Sequence, residues 1–319
     1  MDNLLKQSFN NIYEKKAEFF MGDIADFVSN YANAQNYFEN KSLILPEKAL
    51  TIFVPSNTCV EEPIILSDAQ AAIEKIFIIL EPGAQLIIHD IRLQSAGKAV
   101  RDIFIEIQEN AQLTYFYDQA TLSDAEELMQ CTAEIKENGY FCFVPIDTGA
   151  ANFRLTCDVQ LLGNNARTDI TGFYLLQKNQ KHEIITQQQH KAKNTQSNLS
   201  INGILRDQSY CSYRGNININ ENAANSIAAQ TNKNILFGNQ ARAVSIPSLE
   251  VKVHEVQCKH GSAVGQLNVE DIFYLQSRGL PYQQIKQLLL EAFLKQAFVH
   301  LSDSIIEKIH FRMNEFFNE

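Results

Sequence analysis

The sequence predicts a mainly β protein whose β core lies between helical regions at both ends. Three observations indicate this fold class. From about residue 50 to 267, short β-rich runs alternate with turn residues. Residues 1–45 and 268–319 instead repeat apolar residues at intervals of three and four, which is typical of amphipathic helices. Two stretches of the β region also resemble each other at an offset of 27 residues. The sequence therefore divides into a helical region (1–45), a β core (46–267) and a helical domain (268–319).

The amino-terminal region has the periodicity of a helix. Apolar residues recur at Phe20, Ile24, Phe27 and Val28. Pro46 follows, and the residue before a proline is disfavoured in helical conformation. We therefore expect helix to end near residue 44.

The β region contains about a dozen runs rich in β-branched and aromatic residues. They cover 50–55, 75–80, 85–90, 102–107, 112–118, 140–145, 153–163, 168–176, 182–187, 199–205, 211–219, 234–238 and 249–258. The window 122–137, LSDAEELMQCTAEIKE, is ambiguous. It predicts either a helix or a strand flanked by a polar loop.

The 27-residue echo bears on how these runs are arranged. "EPGAQLIIHD" (81–90) and "QENAQLTYFYD" (108–118) each place a turn before Ala-Gln-Leu and a strand. Such a period suits a coiled β architecture in which each coil stacks on the next. The alternative is a sandwich that contains two similar hairpins. The pattern alone leaves both arrangements open.

The carboxy-terminal region predicts three helices. Asn268 suits the N-cap of the first helix and Gly279 its C-terminal stop. Pro281 suits the first helical position, N1, of the second helix. Ser304 and Glu307 fit a capping box at the start of the third.

Composition excludes some classes of function. The net charge of −10 and pI of about 5.3 argue against sequence-independent nucleic-acid binding, which needs a basic surface. We find no apolar run long enough to span a bilayer and no signal-peptide pattern, so we expect a cytoplasmic protein. Its six cysteines are then expected to be reduced thiols, and none of them forms a C-x-x-C pair.

The stretch "QCKHGSAVGQL" (257–267) holds the main candidate site. In a strand, Cys258 and His260 face the same side and present a thiol and an imidazole to one place. This pair is half of a zinc or iron–sulfur ligand set, because a closed tetrahedral site needs four ligands. His254 has the same parity but lies about 13 Å from Cys258 along a strand. The alternatives are a nucleophile with its base and a plain structural role for both residues.

The sequence signals for other kinds of functional site are weaker. His182 and His190 border polar stretches of the sequence and are expected at the surface. There is no phosphate-binding loop, no G-x-G-x-x-G and no G-x-S-x-G. The carboxylates are spread out, with no pair placed for acid–base work.

At residues 249–280 the sequence resembles the SufD family of the SUF iron–sulfur cluster assembly machinery. "LEVKVHEVQCKHGSAVGQLNVEDIFYLQSRGL" matches the family's Leu-Glu-Ile, Cys-x-His-Gly and Phe-Tyr-Leu-x-Ser-Arg-Gly elements. "HKAKNTQSNLSINGIL" (190–205) and the Ala-x-Gln-x-Asn-Lys-Asn run within 214–250 extend the resemblance upstream. The paralogous SufB proteins share the Phe-Tyr-Leu element but not, as a rule, Cys-x-His-Gly. The resemblance therefore favours SufD.

The resemblance implies a right-handed parallel β-helix between helical terminal regions. It implies a scaffold subunit, not an enzyme, that pairs with a SufB-like paralogue through the β-helix and allows a homodimer when alone. His260 would be a ligand of iron or of a nascent iron–sulfur cluster, with Cys258 as the neighbouring candidate. The cluster would be transient, and the partner chain would supply the missing ligands.

The resemblance also implies that the carboxy-terminal helices dock a SufC-like ABC ATPase. The docking stretch would open with Phe273, Tyr274, Leu275, Arg278 and Gly279, because an amphipathic helix pair can offer apolar anchors to a groove. The alternative is that these apolar residues belong to the chain's own core. Two other functions stay open: a stand-alone β-helix enzyme acting on polysaccharides, and a purely structural partner without metal ligands.

Overall fold

The computed structural model describes residues 20–23, 49–67, 73–93, 97–121, 124–301 and 303–318. These residues form a mainly β structure, a parallel β-solenoid of about seven turns followed by helices. Its strands are β1 (Phe20–Asp23), β2 (Leu50–Val54), β3 (Ile64–Leu66), β4 (Ile73–Leu80), β5 (Gln85–Arg92), β6 (Lys98–Ile107), β7 (Gln112–Gln119), β8 (Glu126–Ile135), β9 (Tyr140–Asp147), β10 (Asn152–Leu161), β11 (Arg167–Leu176), β12 (Lys181–His190), β13 (Gln196–Leu205), β14 (Tyr210–Ile219), β15 (Ser226–Leu236), β16 (Arg242–Val251) and β17 (Val256–Gly265).

The chain alternates between two sheets that face each other across a lumen. Sheet A has the order β1-β2-β4-β6-β8-β10-β12-β14-β16, and sheet B the order β17-β15-β13-β11-β9-β7-β5-β3. Each strand from β2 onwards pairs in parallel with the strand one coil away, for example Asn152 opposite Lys181. Parallel strands need a crossover between them, and here the opposite sheet is the crossover. The coiled architecture is confirmed, and the sandwich alternative is wrong.

The 27-residue echo marks one turn of the solenoid. Gln85 and Gln112 are register partners on β5 and β7. Ala84 and Ala111, which precede them, are both fully buried. The repeated Ala-Gln-Leu therefore packs the same corner in two successive coils.

Asparagines shape the corners at which the chain passes from sheet A to sheet B. Asn110, Asn138, Asn165, Asn194 and Asn225 all have left-handed backbone conformations, with φ between 56° and 61°. Asparagine tolerates this region better than most residues. The side-chain amides also bond from coil to coil: Asn138 donates to Asn110 at 3.1 Å, and Asn165 donates to Asn138 at 3.0 Å.

Alternate residues of each strand point into the lumen, and these inward rows form the core. In the early coils the rows are mainly apolar, with Ile103, Ile105 and Ile107 of β6 fully buried. Charges also enter the lumen, but they are paired. The guanidinium of Arg101 bonds the carboxylate of Asp90 and lies 2.5 Å from that of Glu74. Pairing offsets part of the cost of burying these ions.

The carboxy-terminal helices are α1 (Val269–Ser277), α2 (Tyr282–Leu294), a 3-10 helix (Lys295–His300) and α3 (Asp303–Asn318). Asn268 caps α1 as predicted, since its side chain accepts a hydrogen bond from the Glu270 amide at 3.0 Å. Pro281 lies at the N-cap of α2, one position earlier than predicted. None of the described helices is long and apolar enough to cross a bilayer.

Helices α2 and α3 pack on the outer face of sheet B. Leu290 and Met313 join a buried cluster with Phe116 and Phe173 of the sheet. A bidentate ion pair adds to this contact: the Arg312 guanidinium donates to both oxygens of Asp118, at 2.6 and 2.8 Å. The chain thus leaves the last coil and returns along the solenoid as far as β7.

Two predictions of secondary structure are settled by the described residues. The window 122–137 contains strand β8, so its strand interpretation is correct and its helical one is wrong. Residues Phe20–Asp23 form a strand antiparallel to β2, so the helical prediction is wrong for these four residues. The rest of the predicted amino-terminal helix, 1–19 and 24–45, lies outside the described residues.

Candidate metal-ligand site at the open end of the solenoid

The last coil, formed by β16 and β17, has no further coil stacked on it in the described part of the chain. Each of these strands is the final member of its sheet and pairs on one side only. Large apolar side chains are also exposed here, namely Val244, Ile246, Leu249, Val251 and Val264. Unpaired edges and exposed apolar residues are usually covered in stable proteins. This end therefore has the character of a contact surface.

Cys258 and His260 both lie on β17 and face the lumen. The half-buried Cys258 packs against a cluster that contains Ile217 and Ala228 of the preceding coil. Since strand residues alternate in direction, His260 lies on the same inward row. It is nevertheless exposed, because no coil among the described residues covers it. The structure thus brings the two predicted ligands to one face, at the mouth of the lumen.

The chemistry of this pair suits a soft or borderline metal ion. A thiolate and a neutral imidazole are ligands for zinc and for iron–sulfur species. Partial burial raises the pKa of the Cys258 thiol, and a hydrogen bond with the backbone of Ala228 opposes this effect. A metal ion must therefore displace the thiol proton on binding. No cluster of three or more His, Cys, Asp or Glu side chains suited to a metal occurs within the described ranges. The two residues remain half a ligand set.

His182 and His190 are buried, and their predicted surface location is wrong. His182 Nδ1 lies 2.5 Å from Asp147, and its Nε2 is 3.3 Å from the carbonyl of Ala150. His190 bonds hydroxyls through both ring nitrogens, and burial lowers its pKa to about 4. The polar run around them lies on both faces of β12: Gln187 and Gln189 face outward, whereas Thr186 and Gln188 are buried on the same inward row as the two histidines.

The five residues predicted to dock an ATPase lie on α1 and at its end. Phe273 and Tyr274 are exposed, with 71% and 56% of their surfaces accessible. Arg278 stacks over the Tyr274 ring at 5.2 Å from its centroid. Leu275 is half-buried, and Gly279 ends the helix with a φ of 88°. Helix α1 buries none of its residues completely, so its apolar side chains are available to another surface.

The sequence analysis did not predict the buried polar groups near the mouth of the solenoid. Gln230 of β15 is buried, and neither its amide oxygen nor its nitrogen has a hydrogen-bond partner. Ser245 of β16 also has an unpaired hydroxyl. The alternating buried pattern of β15, with a polar residue at inward positions, was the available signal.

Comparison with known proteins gives the family. Residues 63–293 match the family model described as SUF system FeS cluster assembly, SufBD core domain. The chain is 31% identical over 155 residues to the iron–sulfur cluster assembly protein SufD of Escherichia coli, a match over 49% of this chain and 37% of that protein. It is 25% identical over 166 residues to the SufBD family protein ycf24 of Galdieria sulphuraria, over 52% and 75% of the two chains.

A longer match joins the chain to the chloroplastic protein ABCI7 of Arabidopsis thaliana. The two are 22% identical over 289 residues, which covers 85% of this chain and 60% of the relative. The chain thus spans about two fifths of the length of the E. coli relative and three fifths of the plant one. Since the family model covers well over half of it, the chain belongs to the SufBD family.

Proposed function

We propose that this SufBD-family chain is a SufD-like scaffold subunit on which nascent iron–sulfur clusters are assembled. The observation that carries the proposal is the placement of Cys258 and His260 at the mouth of the solenoid, on a strand that pairs on one side only within the described residues. Two ligands that project from one chain need two more from elsewhere. A partner that covers this end supplies them. Iron and sulfide are the cargo of such a scaffold, held briefly and shared between the two chains.

The partner we propose for the open end is a SufB-like paralogue. A second solenoid offers strand edges that continue both sheets and an apolar surface for Ile246 and Val264. Main-chain pairing at a sheet edge combined with apolar contacts is a common mode of recognition. A second copy of this chain fits the same surface when the paralogue is absent, which gives a homodimer.

The second partner we propose is a SufC-like ABC ATPase bound at α1. Phe273 and Tyr274 provide exposed aromatic anchors, and Arg278 holds the Tyr274 ring by stacking on it. Aromatic and arginine side chains dominate the energetics of many interfaces. The Arg312–Asp118 ion pair keeps the underlying helices in place on the solenoid.

We propose that this subunit has no catalytic activity of its own and works in the cytoplasm or an equivalent compartment. Several buried acids in the described residues already have partners inside the protein. Asp90 pairs with Arg101, Asp118 with Arg312, and Asp147 with His182. Such carboxylates serve packing and are not free for the acid–base chemistry of a polysaccharide-active enzyme.

An anaerobic affinity purification from the native cell extract tests the scaffold proposal. We expect a SufB-like protein and an ABC-type ATPase to co-purify with the tagged chain, with iron and sulfide present. Recovery of the chain alone, without iron and without an ATPase, contradicts the proposal.

Single substitutions separate the three roles. His260→Ala should lower the iron and sulfide content and leave both partners bound, whereas Lys259→Ala on the outward side of β17 should change neither. Ile246→Glu should release the SufB-like partner and keep the ATPase. Phe273→Ala should release the ATPase and keep the SufB-like partner. If His260→Ala leaves the iron content unchanged, the ligand role is wrong and the scaffold role can stand.

A further inference from the structure

The polar interior directly beneath the mouth of the solenoid extends the candidate site by one residue. We propose that Gln230 is a positioning residue for His260, and that its amide accepts the ring N–H of His260 when the other ring nitrogen binds metal. This inference rests on the proposed function, because it takes His260 as a metal ligand. It adds to the site a residue that the Cys-x-His motif does not contain.

The register of the last two coils places the two side chains together. Gln230 of β15 is the direct partner of His260 on β17, just as Ala228 is the partner of Cys258. Neighbouring strands lie about 4.8 Å apart, so side chains on one inward row stack on each other. Gln230 therefore lies immediately under His260, on the lumen side.

Contacts across the lumen confirm that Gln230 points inward. A methyl group added to Gly215, on the opposite sheet, would lie 2.2 Å from Nε2 of Gln230 and 2.3 Å from the Tyr213 hydroxyl. Because residue 215 has no side chain, the amide of Gln230 reaches across the lumen and fits against the backbone of Gly215. The amide is thus held one coil below the mouth.

The hydrogen-bonding capacity of Gln230 is unused. The side chain is only 1% exposed, yet neither amide atom has a hydrogen-bond partner in the described part of the chain. The neighbouring inward amide, Asn232, instead donates to the carbonyl of Ile201 at 2.8 Å. Leaving a buried amide unpaired costs free energy, and natural structures rarely do so without a ligand or a role. The Tyr213 hydroxyl also lies near this amide, but it already bonds the hydroxyl of Thr186 at 3.0 Å. His260 is the residue that the register places next to Gln230 in the last coil.

The chemistry of such a pair is general to metal sites. A histidine that binds a metal through one nitrogen usually donates its other N–H to an oxygen, and this bond fixes the orientation and tautomer of the ring. The amide oxygen of Gln230 is a suitable acceptor.

The test measures Co²⁺ binding to the isolated full chain, in which water takes the ligand positions that a partner would fill. Binding is followed by the absorption of the thiolate and imidazole complex. We expect Gln230→Leu to weaken Co²⁺ binding by about tenfold or more, the usual effect of removing the partner of a ligating histidine. Gln230→Glu keeps an acceptor and adds charge, so it should bind at least as tightly as the wild type. His260→Ala sets the level of full loss.

Gln188→Leu is the matched control. Gln188 is also fully buried with an unpaired amide, but its partner in the next coil is Ile217, not His260. We expect this variant to bind Co²⁺ like the wild type. Equal weakening by both leucine variants overturns the inference, and so does unchanged binding by Gln230→Leu or weakened binding by Gln230→Glu.

The outcome is separate from that of the purification experiment. If both partners co-purify with the chain and Gln230→Leu binds Co²⁺ as tightly as the wild type, only the positioning role fails. If Co²⁺ does not bind the wild type, the positioning role is also overturned, and the scaffold role is judged by the co-purification alone.

Discussion

Replacing His190 with glutamine should remove a defined part of the acid sensitivity of the solenoid. His190 is fully buried on the inward row of β12. Its Nδ1 lies 2.8 Å from the Thr195 hydroxyl and its Nε2 lies 2.8 Å from the Ser197 hydroxyl. Glutamine offers a donor and an acceptor to the same two hydroxyls but does not titrate.

The magnitude follows from the pKa of His190, which burial lowers from 6.5 to about 4. Between these values the unfolded chain takes up a proton that the folded chain does not. The contribution of His190 to stability is therefore fully present above pH 6.5 and is lost as the pH falls towards 4. Linkage gives a loss of about 2 kcal/mol between pH 7 and pH 5 from this one group.

Urea unfolding of the wild type and of His190→Gln at pH 7 and pH 5 measures this effect. Other ionisable groups contribute nearly equally to both proteins and cancel in the comparison. We expect the free energy of unfolding to fall by about 2 kcal/mol more in the wild type than in the variant. Equal pH dependence in the two proteins refutes the reasoning, because it means that His190 titrates alike in the folded and unfolded chains.

Three further predictions concern the corners, the helices and one close contact. Asn138→Ala should cost about 1–2 kcal/mol in urea unfolding, from the left-handed backbone and the lost coil-to-coil bonds, and Asn138→Gly should cost less. A double-mutant cycle of Arg312→Met and Asp118→Asn should give a coupling energy of about 1–3 kcal/mol, and a value near zero would mean that the ion pair does not hold α3. Gly163→Ala should prevent stable folding, because the added Cβ would lie 2.0 Å from the backbone nitrogen of Glu137. Gly265→Ala is the control: it has open space around it and should show a normal unfolding transition in a thermal melt.

The sequence carried the architecture in its repeats. One Ala-Gln-Leu echo was enough to suggest a coil period, and its two copies are register partners. A stronger signal of the coil period is the recurrence of asparagine every 27 to 31 residues from Asn110 to Asn225, once at each corner from sheet A to sheet B. Only the stacking of the coils gives that repeat a meaning, because each asparagine bonds the one in the next coil or takes the same backbone turn.

The sequence predicts the position of the candidate residues but not their surroundings. Cys258 and His260 stand out as residue types at strand spacing, and period-two alternation correctly put them on one face. The surface prediction for His182 and His190 rests on the polar residues around them, and it is wrong because one face of that polar strand lines the lumen. The role proposed for Gln230 depends on its pairing with a strand 30 residues away, which no local pattern reveals.

The short connection between β17 and α1 sets how far the two can separate. Strand β17 ends at Gly265 and α1 begins at Val269, so only residues 266–268 lie between them. The four Cα–Cα steps from Gly265 to Val269 span about 14 Å when fully stretched. A pull on α1 that exceeds this reach has to strip β17 from β15, beginning at the carboxyl end of the strand. Helix α1 and the strand of His260 are therefore mechanically linked in series. A protein that binds α1 and pulls on it also exerts force on the mouth of the solenoid.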